Sequence, residues 1–126
     1  MTAPLPLAGT VVLDVSRMLP GAVLVRTLVD LGARVVKVED PHSGDPMRST
    51  PPVVGGMGAG FLTFFRGVES VTLDLKSVGG AAALRKMARH ADVLVESFRP
   101  GTMERWDLGY DRLAAQCPGL VVVSLS

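Results

Sequence analysis

Ala91-Asp-Val-Leu-Val-Glu-Ser-Phe-Arg-Pro-Gly101 decides how this chain is read: an apolar run over residues 93–96 breaks directly into a Pro-Gly turn. Such a run, short, β-branched and closed by turn residues, is the signature of a buried strand. Val71-Thr-Leu-Asp-Leu-Lys76 reads as a second strand, over residues 71–75, that ends in a lone lysine. Working outward, the alternation continues. Strands are predicted at 11–15, 34–39 and 120–125. Helices are predicted at 22–31, 78–90, 100–105 and 110–116. Arg26 and Asp30 stand four apart on the polar edge of the first helix, and Gly32 sits where a C′ glycine belongs. Ser77 can cap the helix over 78–90, which Gly79 and Gly80 weaken at its start. Residues 40–60 are predicted as a long loop rich in Pro and Gly, of a length that is usually functional or mobile. Strand–helix alternation of this kind predicts an α/β fold, a Rossmann-like parallel sheet with flanking helices and right-handed crossovers.

At 126 residues the chain is one domain's worth, able to bury roughly two-thirds of its unfolded surface. A hydrophobic content of 48% is high for that size. It implies strands covered on both faces, or apolar surface kept for a partner. The net charge of +1 argues against nucleic acid, whose binding needs clustered Lys and Arg. The single cysteine, Cys117, excludes an internal disulfide and reads as a small buried residue. No basic leader precedes an apolar segment, and no apolar run approaches the roughly 18 residues of a membrane span. The expectation is a cytoplasmic, soluble chain with no nucleic-acid and no membrane partner.

Generic catalytic motifs are missing from the sequence. The turn Ser16-Arg-Met-Leu-Pro-Gly21 holds one glycine, so the G-x-G-x-x-G dinucleotide fingerprint is absent. Neither a P-loop nor a G-x-S-x-G elbow occurs. His42 and His90 are far apart without Cys or carboxylates at ligand spacing, so no metal site is expected. The positive signal is positional. In an open α/β sheet ligands bind beyond the carboxyl ends of the strands, where Lys76, Ser97, Phe98 and Arg99 emerge. Lys76 also precedes Ser77 at a helix N-terminus, where a phosphate would meet an ammonium and the positive helix end together. The glycine-rich run over 53–60 reads as a flexible loop, with a flap over a ligand as the alternative.

Four segments in order, Asp14-Val-Ser-Arg-Met-Leu-Pro-Gly21, Val36-Lys-Val-Glu-Asp-Pro41, Val71–Lys76 and Ala91–Gly101, resemble the N-terminal portion of the family III CoA-transferases. That family includes the α-methylacyl-CoA racemases, and the resemblance runs from about Leu7 to Ser126. It implies that residues 1–126 are the Rossmann-like CoA-binding segment of a larger, truncated domain, because complete family subunits are considerably longer. Leu120-Val-Val-Val-Ser-Leu-Ser126, which stops on a strand, points the same way. Residue by residue, Lys76 matches a lysine on the CoA phosphates and Leu73 a position packing by the adenine end. Phe98 matches a wall of the pantetheine arm, and Met18 lines its thioester end. Ser97 stands where most members have Asn. Arg105, ranked above Arg99, stands where members place a CoA-contacting arginine.

The resemblance also implies an acyl-CoA substrate, with coenzyme A part of that substrate and no separate cofactor. It further implies an interlocked homodimer at full length. Leu19 replaces a residue that is often polar, such as Gln, in CoA-transferring members. The main expectation is therefore racemase-like chemistry, proton abstraction α to a CoA thioester, which needs paired titratable groups. No such pair is evident in residues 1–126, so no catalytic residue is assigned and the segment alone is expected to be inactive. The alternative is CoA transfer through an aspartyl-CoA thioester whose Asp also lies outside. A third reading, favoured by lost basic residues, is a non-catalytic oligomerising or weak CoA-binding module. Asp40 replaces an adenine-stacking arginine, and Val68 and Glu69 replace basic residues. All three are expected to line the adenine and phosphate end of the groove and to weaken it.

Overall fold

The computed structural model describes residues 3–125. In chain order these form β1 (Val11–Asp14), α1 (Met18–Asp30), β2 (Arg34–Glu39), a 3₁₀ turn (Pro46–Arg48), β3 (Val53–Val54) and β4 (Met57–Gly58). There follow α2 (Ala59–Phe64), β5 (Glu69–Thr72), α3 (Val78–Ala88), β6 (Val93–Glu96), α4 (Thr102–Arg105), α5 (Tyr110–Gln116) and β7 (Val121–Ser124). Five strands make one sheet in the order β5-β2-β1-β6-β7, with every neighbouring pair parallel. The α/β reading with a parallel sheet is therefore correct.

Period-two alternation sorts the strand residues onto two covered faces. Leu13, Val38 and Leu94 point to a core closed by Ala81, Leu84 and Ala88 of α3, Met103 of α4 and Leu113 of α5. Val12, Val35 and Val95 point the other way, to Ala22 and Val25 of α1, Phe61 of α2, Phe65 and Met47. Burial on both faces accounts for the high apolar content and for near-continuous Val/Leu runs in the central strands.

The chain runs outward from β1 to β2 and β5, then returns through α3 to β6 on the other side of β1. Strand order reverses between β1 and β6. The loop after β1 leaves toward the α1 face and the loop after β6 toward the α4 face, which opens a crevice between them. This is the topological switch point at which open α/β sheets bind ligands.

Three readings of local structure change. Helix α1 begins at Met18, four residues before the expected start, because Pro20 falls in the first turn, where no intrahelical N–H donor is needed. Residues 40–60 are folded. Asp45 Oδ1 accepts from Met47 N at 2.8 Å to cap the 3₁₀ turn, and Gly55 and Gly56, both at positive φ, close the β3–β4 hairpin. Strand β5 spans Glu69–Thr72, where 71–75 was expected. Leu75 is buried and belongs to the core against α3.

The two glycines opening α3 differ in purpose. Gly80 N donates to the Ser77 hydroxyl at 3.0 Å, and a Cβ there would overlap Asp74 O. A Cβ on Gly79 would meet open space. Gly79→Ala is therefore expected to stabilise the chain by about 0.5 kcal/mol through helix propensity. Gly80→Ala is expected to cost about 1–3 kcal/mol by overpacking. Urea unfolding of the two variants checks both signs.

Candidate active site

The crevice at the carboxyl edge is floored by the ends of β1, β2 and β5, and walled by Phe98 after β6. Arg17, Asp40, Leu73, Lys76, Phe98 and Trp106 line it. Phe98 packs edge-to-face on Trp106 with ring centroids 4.9 Å apart, and Arg17 Cζ lies 5.6 Å from the Phe98 ring centre. The result is an apolar aromatic wall beside one cation, with Lys76 exposed opposite. Lys76 and Trp106 continue into an adjoining depression with Ser77 at the start of α3, Arg85 and Arg105. Arg105 Nη2 donates to Thr102 Oγ1 at 2.9 Å, which steadies its guanidinium. Arg85 is held by the Asp107 carboxylate at 2.9 Å. Lys76, Arg105 and the N-terminal turn of α3 make this end of the groove suited to a phosphate group, while Asp107, which also lines it, offsets the charge of Arg85.

Asp40 adds a negative charge to the same groove. The backbone N–H groups of Ser43 and His42 donate to Oδ1 at 3.0 and 2.9 Å and hold its carboxyl below the ordinary value, with a smaller pull from Arg17.

Beneath the groove lies a buried charged network. Lys37, Asp14 and Asp45 are exposed by 1%, 0% and 2%. Lys37 Nζ is 3.0 Å from Asp14 Oδ2 and 2.9 Å from Asp45 Oδ2, and donates to Ser16 O at 2.9 Å. Asp14 Oδ1 accepts from Ser16 N at 2.9 Å and from the Ser16 hydroxyl. Burial pushes the Asp14 carboxyl up, with Lys37 and Ser16 pulling it part of the way back. Glu39 goes the other way. Its burial would also raise it, but Arg48 at 2.7 and 2.8 Å, Ser70 at 2.6 Å and the Asp45 N–H at 2.8 Å together bring it down to about 2.

The structure brings Leu73, Lys76 and Phe98 into one crevice and Arg105 into its extension. Ser97 lines neither depression; its hydroxyl accepts from Arg17 N at 2.8 Å and donates to Arg17 O at 3.3 Å, tying the β1 and β6 loops together. Met18, 46% exposed at the start of α1 with φ +65, likewise lines neither depression. Positive φ at a non-glycine residue is strained and must be enforced by its surroundings. Arg17 and Trp106 were missed in the sequence. Arg17 follows β1 and met the same carboxyl-end rule that selected Lys76, whereas Trp106 joins the wall only through its contact with Phe98.

Asp40, Val68 and Glu69 do not come together as expected. Asp40 lines the crevice. Glu69 opens β5, paired in register with Val36, and its carboxylate grips Arg34 at 2.7 and 3.0 Å. Val68 packs against the core under α1. In a parallel strand the first residue lies at the edge opposite the carboxyl end, about 10 Å away for three steps of 3.3 Å. The groove's phosphate end is therefore not lined by these two residues.

No described helix is long and apolar enough to cross a membrane. Among the described residues no cluster of three or more His, Cys, Asp or Glu could hold a metal ion.

Residues 7–126 match the family described as CoA-transferase family III. An acetyl-CoA:oxalate CoA-transferase of Acetobacter aceti is 42% identical over 121 residues, covering 96% of this chain and 31% of that protein. The alpha subunit of a succinyl-CoA–L-malate CoA-transferase of Chloroflexus aurantiacus is 40% identical over 124 residues, covering 97% of this chain and 29% of the other. The crystal structure of a CAIB/BAIF family protein from Brucella suis superposes with a TM-score of 0.88 at 37% identity, covering 97% of this chain and 33% of that one. The chain thus spans about a third of the length of the relatives it matches. The two enzymes carry CoA-transferase names, so they support the transferase alternative better than the racemase-like reading drawn from Leu19.

The network sets a pH dependence. Glu39 has a folded value of about 2 against an ordinary 4.5, so its stabilisation is present above the unfolded value and is lost as pH falls toward 2. Linkage converts that difference to about 3 kcal/mol at neutral pH. Asp14, shifted upward, acts in the opposite sense and costs stability as pH rises past its unfolded value. Glu39→Gln is expected to be less stable than the parent by about that amount at pH 7, and the gap should close between pH 4.5 and 2. Urea unfolding across this range isolates the Glu39 contribution as the difference between the two curves.

Proposed function

From the chain's membership of CoA-transferase family III, we propose that residues 1–126 supply the CoA-binding segment of an enzyme that moves CoA from an acyl-CoA donor to a carboxylate acceptor. The observation that carries this reading is the groove at the β1/β6 switch point, apolar and aromatic at one end and cationic at the other. Coenzyme A has the matching division, an extended pantetheine arm and a phosphorylated nucleotide. Lys76, Arg105 and the first turn of α3 hold the phosphates. Leu73 and Phe98 flank the apolar parts, Ser97 fixes the loops that carry them, and Met18 stands toward the thioester end.

The chemistry is carried by groups outside these residues. In the transferase reading an aspartate carboxylate contributed by the rest of the enzyme attacks the donor thioester, giving a mixed anhydride and CoA thiolate. The thiolate then attacks the aspartyl carbonyl, giving the aspartyl-CoA thioester and releasing the donor's carboxylate. The chain would work in the cytoplasm, as part of an interlocked homodimer at full length. A racemase-like reading rests on Leu19, exposed beside Met18 where a polar residue would suit transfer.

Calorimetric titration with coenzyme A tests the binding claim. Lys76→Ala and Arg105→Ala are each expected to weaken binding about 2- to 5-fold, matching 0.5–1 kcal/mol per partly screened contact, and less at high salt. Absence of wild-type binding at millimolar coenzyme A would reject the claim. Residues 1–126 alone are expected neither to transfer CoA to a carboxylic acid nor to exchange the α-proton of a 2-methylacyl-CoA. In the longer enzyme those two assays separate transferase from racemase.

A further inference from the structure

Lys37 is a buried cation that the ligand-binding reading does not use. It sits at mid-strand in β2, 1% exposed, with its ammonium 4.5 Å from the centre of the Phe65 ring. Its polar contacts divide into two branches. One runs to Asp45, which caps the 3₁₀ turn and whose N–H bonds the Glu39 carboxylate. The other runs to Asp14 Oδ2 and to Ser16 O, the carbonyl directly before Arg17 and Met18.

The second branch fixes more than one atom. Asp14 returns hydrogen bonds to the Ser16 N–H and hydroxyl. The Ser16 hydroxyl in turn fills the space beside Gly21, where any Cβ would overlap it. The turn from β1 into α1 is thus anchored from below at Ser16 and from the side by the Ser97 hydroxyl on Arg17 N. Directly after those anchors Met18 holds φ +65. A methionine does not choose that conformation unaided, so the anchors impose it.

We infer that Lys37 is a positioning residue for the groove: by holding Ser16 O it sets the Arg17–Met18 turn in the shape that faces coenzyme A. It touches no ligand itself. The inference rests on the CoA reading only for the identity of the ligand, since the turn's shape can be read separately. A merely structural ion pair would make both branches equivalent, and any loss would appear as stability alone. Here the branches differ, because only the one through Asp14 and Ser16 reaches the Arg17–Met18 turn.

The test compares Asp45→Asn with the double variant Lys37→Met, Asp45→Asn, in chains shown to be folded by circular dichroism. The readouts are the strong intraresidue Hα–HN nuclear Overhauser effect of a left-handed Met18 and calorimetric titration with coenzyme A. Asp45→Asn is expected to unfold at a lower temperature yet keep the Met18 signal and bind coenzyme A within threefold of wild type. The double variant is expected to lose the signal and bind at least tenfold more weakly. Loss of the signal in Asp45→Asn, or its survival in the double variant, overturns the inference. If the double variant does not fold, Lys37→Leu, Asp45→Asn replaces it with the same two outcomes: loss of the Met18 signal supports the inference and its survival overturns it. If wild type fails to bind coenzyme A while the Met18 signals behave as stated, the ligand reading falls and the positioning role stands.

Discussion

A lysine ammonium buried between two carboxylates organises the α1 side of this sheet. Removing an ion from water costs several kcal/mol even after relaxation, and only close partners with good geometry offset it. Lys37 has both, in Asp14 and Asp45, with Ser16 O accepting a further N–H and Phe65 covering it. Such a pair is a weak source of net stability but a strong constraint on arrangement, since losing one partner strands a buried charge at a cost of about 3–5 kcal/mol. Strand β1, its following turn and the segment after β2 must therefore meet at one point.

The same face of β2 carries Glu39, two residues on, and this second charge acts on the same segment. Arg48 and the Asp45 N–H converge on its carboxylate, while Ser70 reaches it from β5. Arg48 also lies 4.0 Å from the Phe61 ring centre. Residues 45–65 are in this way drawn over β2 by charged contacts as well as by Phe61 and Phe65. That explains why the stretch looked like a plain loop in the sequence. Its order comes from partners far away along the chain, which leave no periodicity in a local window.

What local patterns encode was legible. The apolar runs at 34–39 and 93–96, and the helix over 110–116, needed only period and punctuation to be placed, and the strand–helix alternation implied the parallel sheet. Boundaries failed where a tertiary contact decided them. Thr72 ends β5 because Leu75 turns into the core against α3, so an apolar pattern that looked continuous through 71–75 belongs half to the strand and half to the loop. Val68 and Glu69 lie at or before the start of the strand with either set of bounds. Their place in the expected groove came from the family's basic run, whose position at the amino edge of β5 the resemblance did not reveal. The rule that selected Lys76 and Phe98 depends only on which end of a strand a residue follows, and it was robust to errors in strand length. Arg17 met the same rule and was overlooked because a lone arginine after a strand also reads as a solvated charge.

The crevice owes its place to topology and its shape to the buried charges. Reversal of strand order between β1 and β6 forces their two loops apart, which would leave an open cleft of poorly defined width. Ser97 spans that cleft to both backbone polar groups of Arg17 and sets the separation. Asp40 enters from β2 with one carboxylate oxygen occupied by two N–H groups of its own loop. It is therefore a fixed negative charge in the crevice, with Arg17 near enough to exert a weak pull on it. The departure from a basic residue at this position places a carboxylate beside the aromatic wall while Lys76 and Arg105 keep the cationic end beyond it. The groove is less positive than an arginine at position 40 would make it, and its positive charge is concentrated in Lys76, Arg105 and the first turn of α3.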